Sequence, residues 1–371
     1  MIHHCITTLE SKGGVQTYIR SLLDRQSDVS QEIINLLEVG SQSQFELLHL
    51  HDPQQLSGLT GLCPTVFTLH NHSTYCPSGT KYFSIAQTCC DRPMSYSGCT
   101  WGRLVEGCGS RRPQRILKNF QTSYQELAIL KKTQIPIIAV SEYARQQLIS
   151  QGISAKQVTT VYHGIAETIT SSAPPTRSIH QEQRLLFVGR IVPEKGLVWL
   201  LKALAQASPS IQLDIAGEGW FEPQVKKLAK SLGVENRITW HGWCDRPTLN
   251  RLYHQSFAVV FPSLWPEPAG LITLEAYARS RPVIASNVGG IPEYMLPNQT
   301  GLLVPPNQPD VLAEAMTVLA NDLNQTTYLA EQGYLHLQKY FTIEHHVKNL
   351  AHLYDCVIQE FHAKSSTVHS Q

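Results

Sequence analysis

The residues best suited to chemistry fall in two short runs of the C-terminal half. The first, Gly189-Arg190-Ile191-Val192-Pro193-Glu194-Lys195-Gly196, follows the apolar run Leu185 to Gly189 and precedes a helical pattern. Two cations five residues apart, beside the free N–H groups of a helix start, form a pocket for a diphosphate or, read plainly, a solvated basic turn. The turn is no P-loop, because G-x-x-x-x-G-K-[ST] is absent. A second turn, Ala216-Gly217-Glu218-Gly219, closes the next strand, where Gly217 meets the need of any tight strand-to-helix turn. The second run extends from Pro262 to Ala276. Pro266 and Pro268 fix φ on both sides of Glu267, so its carboxylate is carried on a rigid loop. Gly270 then opens a helix, and Glu275 lies five residues on, about 7.5 Å along the axis and near the span from a phosphate to the ribose of one nucleotide. Glu267 can therefore address a sugar ring while Glu275 binds ribose hydroxyls.

Weaker signals surround these. His70 and His72 lie near Cys76, open to metal ligation or to a hydrogen-bonded strand-end histidine. Trp243 closes the run Arg237 to Trp243 and is read either as a neighbour of a nucleobase or as a packing side chain. Nine cysteines include five (Cys76, Cys89, Cys90, Cys99, Cys108) in one aperiodic segment, but without C-x-x-C the zinc reading is weak against buried or redox-labile thiols. No D-x-D occurs, so a divalent cation bridging a diphosphate has no evident carboxylate pair.

The elements that must position these residues follow from periodicity. From residue 185 onward strands (Leu185 to Gly189, Ile211 to Gly217, Arg237 to Trp243, Phe257 to Ser263, Pro282 to Ser286, Gly301 to Val304) alternate with helices (Leu197 to Ala207, Glu222 to Leu232, Leu249 to Gln255, Leu271 to Ala278). That alternation predicts right-handed βαβ units and a Rossmann-like parallel sheet. The N-terminal half repeats the rhythm: strands Ile2 to Leu9, Glu46 to His51, Thr65 to His70, Ile137 to Val140 and Val158 to Tyr162, with helices Val15 to Leu23, Pro113 to Lys132 and one capped by Ser141 and closed by Gly152. The predicted organisation is α/β: residues 1–165 with a Cys-rich insertion at about 71–112, a linker over 166–184, a second domain over 185–342, and a helix over 343–371 that packs back on the N-terminal domain and frays from Lys364. Two such sheets facing a cleft bind ligands at the carboxyl ends of their strands.

Gly189-Arg190…Glu194-Lys195-Gly196 followed by Glu267-x7-Glu275 resembles the C-terminal domain of glycosyltransferase family 4, retaining enzymes of the GT-B fold that use nucleotide-sugar donors. The likeness is strong from about Leu185 to Ala315 and looser at Gly13-Gly14, His70-Asn71, Val140-Ser141-Glu142 and His163-Gly164. It implies that Arg190 and Lys195 hold the donor diphosphate, that Glu275 binds the ribose and Glu267 the hexose hydroxyls, and that the Gly270 and Leu271 amides meet phosphate. Gly217 and Trp243 join the donor set, Gly13 and Gly14 close on the diphosphate or acceptor, and His70 faces the transferred sugar. The long insertion from Asn71 departs from the commonest pattern and leaves the acceptor open.

The expectation is a metal-independent, retaining hexosyltransferase without a resident cofactor, moving a hexose from a UDP-sugar, UDP-glucose or a close relative, to a saccharide or lipid-linked saccharide. A nucleotide-sugar epimerase, or a catalytically silent nucleotide-sugar or metal-binding protein, is the alternative. A nicotinamide oxidoreductase is disfavoured because G-x-G-x-x-G is missing from both first turns. A formal charge of +1 removes the whole-chain argument for nucleic acid, although residues 91–132 carry a local excess of five positive charges that suits an anionic acceptor, a membrane surface or plain solvation. With no basic leader ahead of an apolar run at the N-terminus and no membrane-length apolar run, a cytoplasmic protein is expected, with peripheral association at the inner membrane face. The segment from Cys76 to Cys108 is expected to serve the acceptor side and leave donor binding alone.

Overall fold

The structure, a computed structural model, describes residues 2–6, 22, 31–35, 46–51, 63–166 and 177–368. The chain divides into two compact units, one of Met1–Lys81, Asp91–Ala166 and Phe341–Gln371, the other of Tyr82–Cys90 and Glu167–Tyr340. The first unit holds strands β1 (Ile2–Ile6), β2 (Gln31–Asn35), β3 (Leu47–Leu50) and β4 (Thr65–Leu69). A two-stranded hairpin, β5 (Tyr82–Phe83) and β6 (Thr88–Cys89), then leaves for the second unit before the sheet resumes with β7 (Ile137–Ala139) and β8 (Val158–Thr160). The six strands pair in parallel in the order β2-β1-β3-β4-β7-β8. Every residue of β3 and β4 is buried, as expected of parallel strands covered on both faces.

Helices α2 (Pro113–Thr133) and α3 (Glu142–Ser150) follow their sequence signals, whereas α1 (Tyr96–Leu104), capped by the Ser95 side chain, lies in the segment read as aperiodic. The Ser141 hydroxyl accepts from the Ala144 amide at 3.1 Å, capping α3 as predicted. Proline occupies the first turn of α2, where its missing N–H costs nothing.

The second unit opens with α4 (Arg177–Glu182), which occupies part of the stretch expected to be a bare linker. It continues through β9 (Arg184–Val188), α5 (Leu197–Gln206), β10 (Gln212–Ala216), α6 (Glu222–Ser231), β11 (Ile238–Gly242), α7 (Arg246–Gln255), β12 (Ala258–Phe261), α8 (Leu271–Ala278), β13 (Val283–Ser286), β14 (Gly301–Val304), α9 (Pro309–Asn321) and α10 (Leu323–Tyr340). The parallel sheet order, β11-β10-β9-β12-β13-β14, is that of the Rossmann sheet. Its direction reverses between β9 and β12, and a ligand crevice is expected beyond the carboxyl ends of those two strands. Ala258 pairs with Leu185 and Val259 with Leu186, so the turn after β9 and the loop after β12 leave the sheet at the same level.

Besides α1, the β5–β6 hairpin and α4, two further elements escaped the sequence reading. β2, Gln-Glu-Ile-Ile-Asn, has too few apolar residues to show a period. α10 carries Gly333 in mid-helix, which reads as a breaker; a Cβ there would come within 2.5 Å of the Tyr277 ring of α8, so close packing explains the glycine. The final helix, α11 (Ile343–Val368), belongs to the first unit, where Ile343, Leu350 and Tyr354 pack with Leu47, Val66 and Ile138. It runs past Lys364, where fraying was expected.

Candidate active site

The turn after β9 and the loop after β12 are stitched together. The Glu194 carbonyl accepts from the amides of Leu264 at 2.8 Å and Trp265 at 3.3 Å. A short 3-10 turn, Pro193–Lys195, ends at Gly196 with φ +76°, a left-handed conformation that suits glycine, and a Cβ at that position would run into the Pro262 carbonyl. This stitching aims the Lys195 ammonium at Glu267, 2.5 Å from Oε1, and 5.2 Å from the centroid of the Trp265 ring. Ser263 Oγ donates to the same carboxylate oxygen at 2.8 Å, and the Glu267 carbonyl accepts from the Gly290 amide at 2.7 Å. The cation and acid named separately from sequence are thus one hydrogen-bonded ion pair, its carboxylate buried and its ammonium part-buried.

Arg190, on the same turn, is exposed and has no ion-pair partner among the described residues, so its guanidinium is available to an anion. Gly270 caps α8 and Leu271 starts it, leaving first-turn amides at the crevice. One turn further, Glu275 accepts from the buried Tyr253 hydroxyl at 3.0 Å, which orients its carboxylate. The Gly217 amide donates to the Gly242 carbonyl at 2.7 Å, tying the ends of β10 and β11. Trp243 lies just beyond β11 and is 66% exposed, so the packing alternative does not hold; Trp220, after β10, is 68% exposed.

The hairpin β5–β6 corrects an expectation. Tyr82 sits in the apolar core of the second unit with Ile191 and Leu264, and the Cys89 thiol donates to the Leu264 carbonyl at 3.5 Å. Burial, then the Glu194 charge, pushes the Tyr82 hydroxyl well above its ordinary pKa. Part of the cysteine segment therefore braces the loop that carries Glu267. The physical reason is that Tyr82 and Phe83 are both buried, which a solvated loop cannot achieve.

The first unit presents a different constellation. His70, directly after β4, meets His51 through an Nε2 to Nδ1 contact of 2.9 Å and stacks on His163 with ring centroids 5.8 Å apart. His163 in turn lies 5.7 Å from His346, whose Nδ1 donates to the Tyr162 carbonyl at 2.6 Å. His49 stands 4.0 Å from His51 and hydrogen-bonds Tyr354 and Thr68, each at 2.6 Å. Burial, with a smaller repulsion from His346, holds His70 down at about 3; burial holds His346 at about 4 and His163 well below its ordinary value. His70 is accordingly neutral at pH 7, able to exchange hydrogen bonds with a hydroxyl but not to supply positive charge. His72 is buried and bonded to the Tyr75 hydroxyl at 2.5 Å, and among the described residues no group of three or more His, Cys, Asp or Glu side chains is arranged for a metal. Gly13 and Gly14 lie outside the described residues.

Sequence reasoning missed His49, His51 and His346, and named His163 only as part of the looser resemblance. The one local signal was the alternation Leu48-His49-Leu50-His51, which puts both imidazoles on one strand face. It also missed a buried network across three strands, where Asp214 accepts from Arg184 at 2.7 Å and meets His241 at 2.8 Å.

Residues 170–336 match the family model described as Glycosyl transferases group 1. An uncharacterized glycosyltransferase of Methanocaldococcus jannaschii is 29% identical over 180 residues, 48% of this chain and 46% of that protein. The matched segments span between 31% and 60% of the length of the curated relatives. Among solved structures, sucrose-phosphate synthase from Thermosynechococcus elongatus superposes with a TM-score of 0.73 at 20% identity, covering 97% of this chain and 99% of that one. Anabaena HepE in complex with UDP-glucose gives 0.67 at 16% identity, covering 99% of each chain. The fold is that of the GT-B glycosyltransferases.

Proposed function

We propose that this chain transfers a hexosyl group, with retention at the anomeric carbon, from a nucleoside-diphosphate sugar to a hydroxyl of a saccharide or lipid-linked saccharide. UDP-glucose or a close relative is the proposed donor, the nucleotide sugar held by HepE. The observation that carries this reading is the pair of stitched loops at the reversal of the second sheet. They join the turn that bears Arg190 and Lys195 to the loop that bears Glu267, and α8, with its first amides and an oriented Glu275, follows that loop.

When the bond between the anomeric carbon and the diphosphate oxygen breaks, its electron pair moves to the diphosphate. Arg190, the Lys195 ammonium and the Gly270 and Leu271 amides stabilise that charge without a bridging divalent ion. Glu267, fixed by Lys195 and Ser263, takes hexose hydroxyls, Glu275 takes the ribose diol, and Gly217 and Trp243 lie along the nucleoside side. His70 is the proposed neutral partner of the transferred sugar. The acceptor hydroxyl oxygen bonds the anomeric carbon from the face that the diphosphate leaves, which preserves the anomeric configuration, and its proton passes to the departing phosphate oxygen. The proposed setting is the cytoplasm, at the inner membrane face.

The test is incubation with a panel of nucleotide sugars in EDTA, with and without saccharide acceptors. Slow UDP release from UDP-glucose alone and an anomer-retained glycoside on adding acceptor are expected. Interconversion of sugar epimers, or binding without UDP release under any condition, overturns the reading, and activity that returns only with Mg²⁺ or Mn²⁺ overturns metal independence.

A further inference from the structure

Helices α1 and α2 contact each other in the first unit. Tyr96, at the start of α1, stacks on Tyr124 and Phe120 of α2 with centroids 4.4 and 5.4 Å away, and Arg103, at the end of α1, lies 5.6 Å over Phe120. The end of α1 and the segment that leads into α2 form one tip. That tip is tied: the Cys108 amide donates to the Gly102 carbonyl at 2.9 Å, and the buried Arg103 guanidinium donates to the Ser110 carbonyl at 3.3 Å.

What the tip shows to solvent is unusual for a water-facing surface. Trp101, Leu104, Val105 and Leu117 are 57%, 56%, 45% and 71% exposed. Single exposed apolar side chains are ordinary, but Trp101, Leu104 and Val105 share one helix face at i, i+3 and i+4, and Leu117 follows on the first turns of α2; such a group marks a contact surface. Arg111, Arg112, Arg115 and Lys118 are exposed around the start of α2. Between residues 101 and 118 the one acidic side chain is Glu106, and Arg92 engages both of its carboxylate oxygens, at 2.5 and 2.6 Å. The tip is thus apolar at its end and cationic around it, with its own carboxylate already neutralised.

We propose that this tip docks on an anionic lipid surface, with Trp101, Leu104, Val105 and Leu117 entering the headgroup region and the four cations meeting lipid phosphates. Tryptophan prefers the membrane interface, and each basic side chain near an anionic bilayer adds to the attraction. A membrane is favoured over a protein because exposed cations surround the apolar side chains while the one acid among them is already paired, a charge pattern complementary to an anionic lipid face. Among the described residues no helix is long and apolar enough to cross a membrane, so this docking is peripheral. The proposal deepens the reading of a membrane-borne acceptor by naming the surface that would bring the protein to it, and it needs neither donor nor acceptor to be tested.

The full chain is sedimented with vesicles of phosphatidylcholine alone and with about 30% phosphatidylglycerol, at low and high salt. Binding to the anionic vesicles only, weakened by salt, is expected. It falls roughly tenfold or more in Arg111→Ala/Arg112→Ala and in Trp101→Ser/Leu104→Ser, with thermal unfolding unchanged because all four side chains are exposed. Lipid-bromine quenching of tryptophan fluorescence drops in Trp101→Phe. No binding to anionic vesicles, or binding that neither double variant weakens, overturns the proposal. So does self-association, measured by light scattering, that the tip variants abolish, because the tip is then a protein interface. UDP-glucose binding by the same variants, measured in solution, reports on the donor site separately: its absence in the parent chain would fail the glycosyltransferase reading and leave the docking result standing.

Discussion

The two polar constellations of this chain solve burial in opposite ways. At the reversal of the second sheet, opposite charges are kept together: Lys195 and Glu267 stay as an ion pair, with Ser263 filling a further lone pair. After β3 and β4 of the first sheet imidazole meets imidazole, and burial holds His70, His163 and His346 neutral. The first arrangement suits a ligand that carries charge, since a fixed dipole and a nearby free guanidinium can redistribute toward phosphate with little reorganisation. The second suits hydroxyls, which need donors and acceptors but no charge. The difference teaches that one chain can bury polar groups under two electrostatic settings, one fitted to charged ligands and one to uncharged hydroxyls.

Breaking the ion pair has the largest expected effect. Lys195→Ala leaves Glu267 in a buried place without its counter-charge, costing about 3–5 kcal/mol of stability in the second unit as well as donor affinity. The double variant Lys195→Ala/Glu267→Gln should recover most of that stability and none of the affinity. Urea unfolding and titration with UDP-glucose separate the two; a Lys195→Ala protein as stable as the parent would show that the pair is not buried as described. Next comes the hairpin. Tyr82→Ala empties an aromatic site in the second core at about 3 kcal/mol and loosens the Leu264 strap, so UDP-glucose affinity should fall. Unaltered donor binding in a folded Tyr82→Ala protein would return the hairpin to the acceptor side.

How much of this was legible depends on range. The β9 turn, the β12 loop and the Ser141 cap are each written within ten or so residues, and periodicity located the strands that present them. That Lys195 and Glu267 bind each other was not legible, because they are 72 positions apart and each had a separate reason to face a ligand. The same holds for Tyr82, whose destination is a core that begins a hundred residues later, and for the imidazoles contributed by positions 49, 51, 70, 163 and 346. Local pattern reports which face of an element is apolar, not which distant element will cover it.

A smaller effect is expected from the free cation. Arg190→Ala removes an exposed guanidinium with no ion-pair partner among the described residues, so thermal unfolding should not move. Donor binding should weaken by about 1.5–3 kcal/mol, the worth of a charge-assisted contact. Calorimetric titration checks it, and equal losses for UDP-glucose and for uridine would place Arg190 away from the diphosphate. Placed beside Lys195→Ala, it distinguishes a cation that only meets ligand from one that also holds the fold.

The gentlest probe is pH, and it sets the two units against each other. A histidine whose folded pKa is lowered opposes folding wherever the unfolded chain is protonated and the folded chain is not. For His346 that window runs from about 6.5, the unfolded value, down to about 4, and for His70 down to about 3. Stability of the first unit should therefore fall as pH drops below about 6.5, by at most about 1.4 kcal/mol per pH unit for each fully buried imidazole. In the second unit His254 and His336 are also lowered, by burial first, but both are only half-buried. Burial raises the Asp214 pKa, yet hydrogen bonds from Arg184 and His241 outweigh it and keep the carboxyl low; its contribution is present above the unfolded value of about 3.9 and lost only below it. Hydrogen exchange at pH 7, 5.5 and 4.5, followed in peptides around residues 63–75 and 158–166 against those of β9 to β12, should show the first unit losing protection earlier and more steeply. His346→Gln, which removes the titrating ring yet can still donate toward the Tyr162 carbonyl, should flatten that loss. Protection that declines first or equally in the second unit would mean that the imidazoles around His70 do not carry the acid sensitivity, and the contrast between a charged and a neutral constellation would fail.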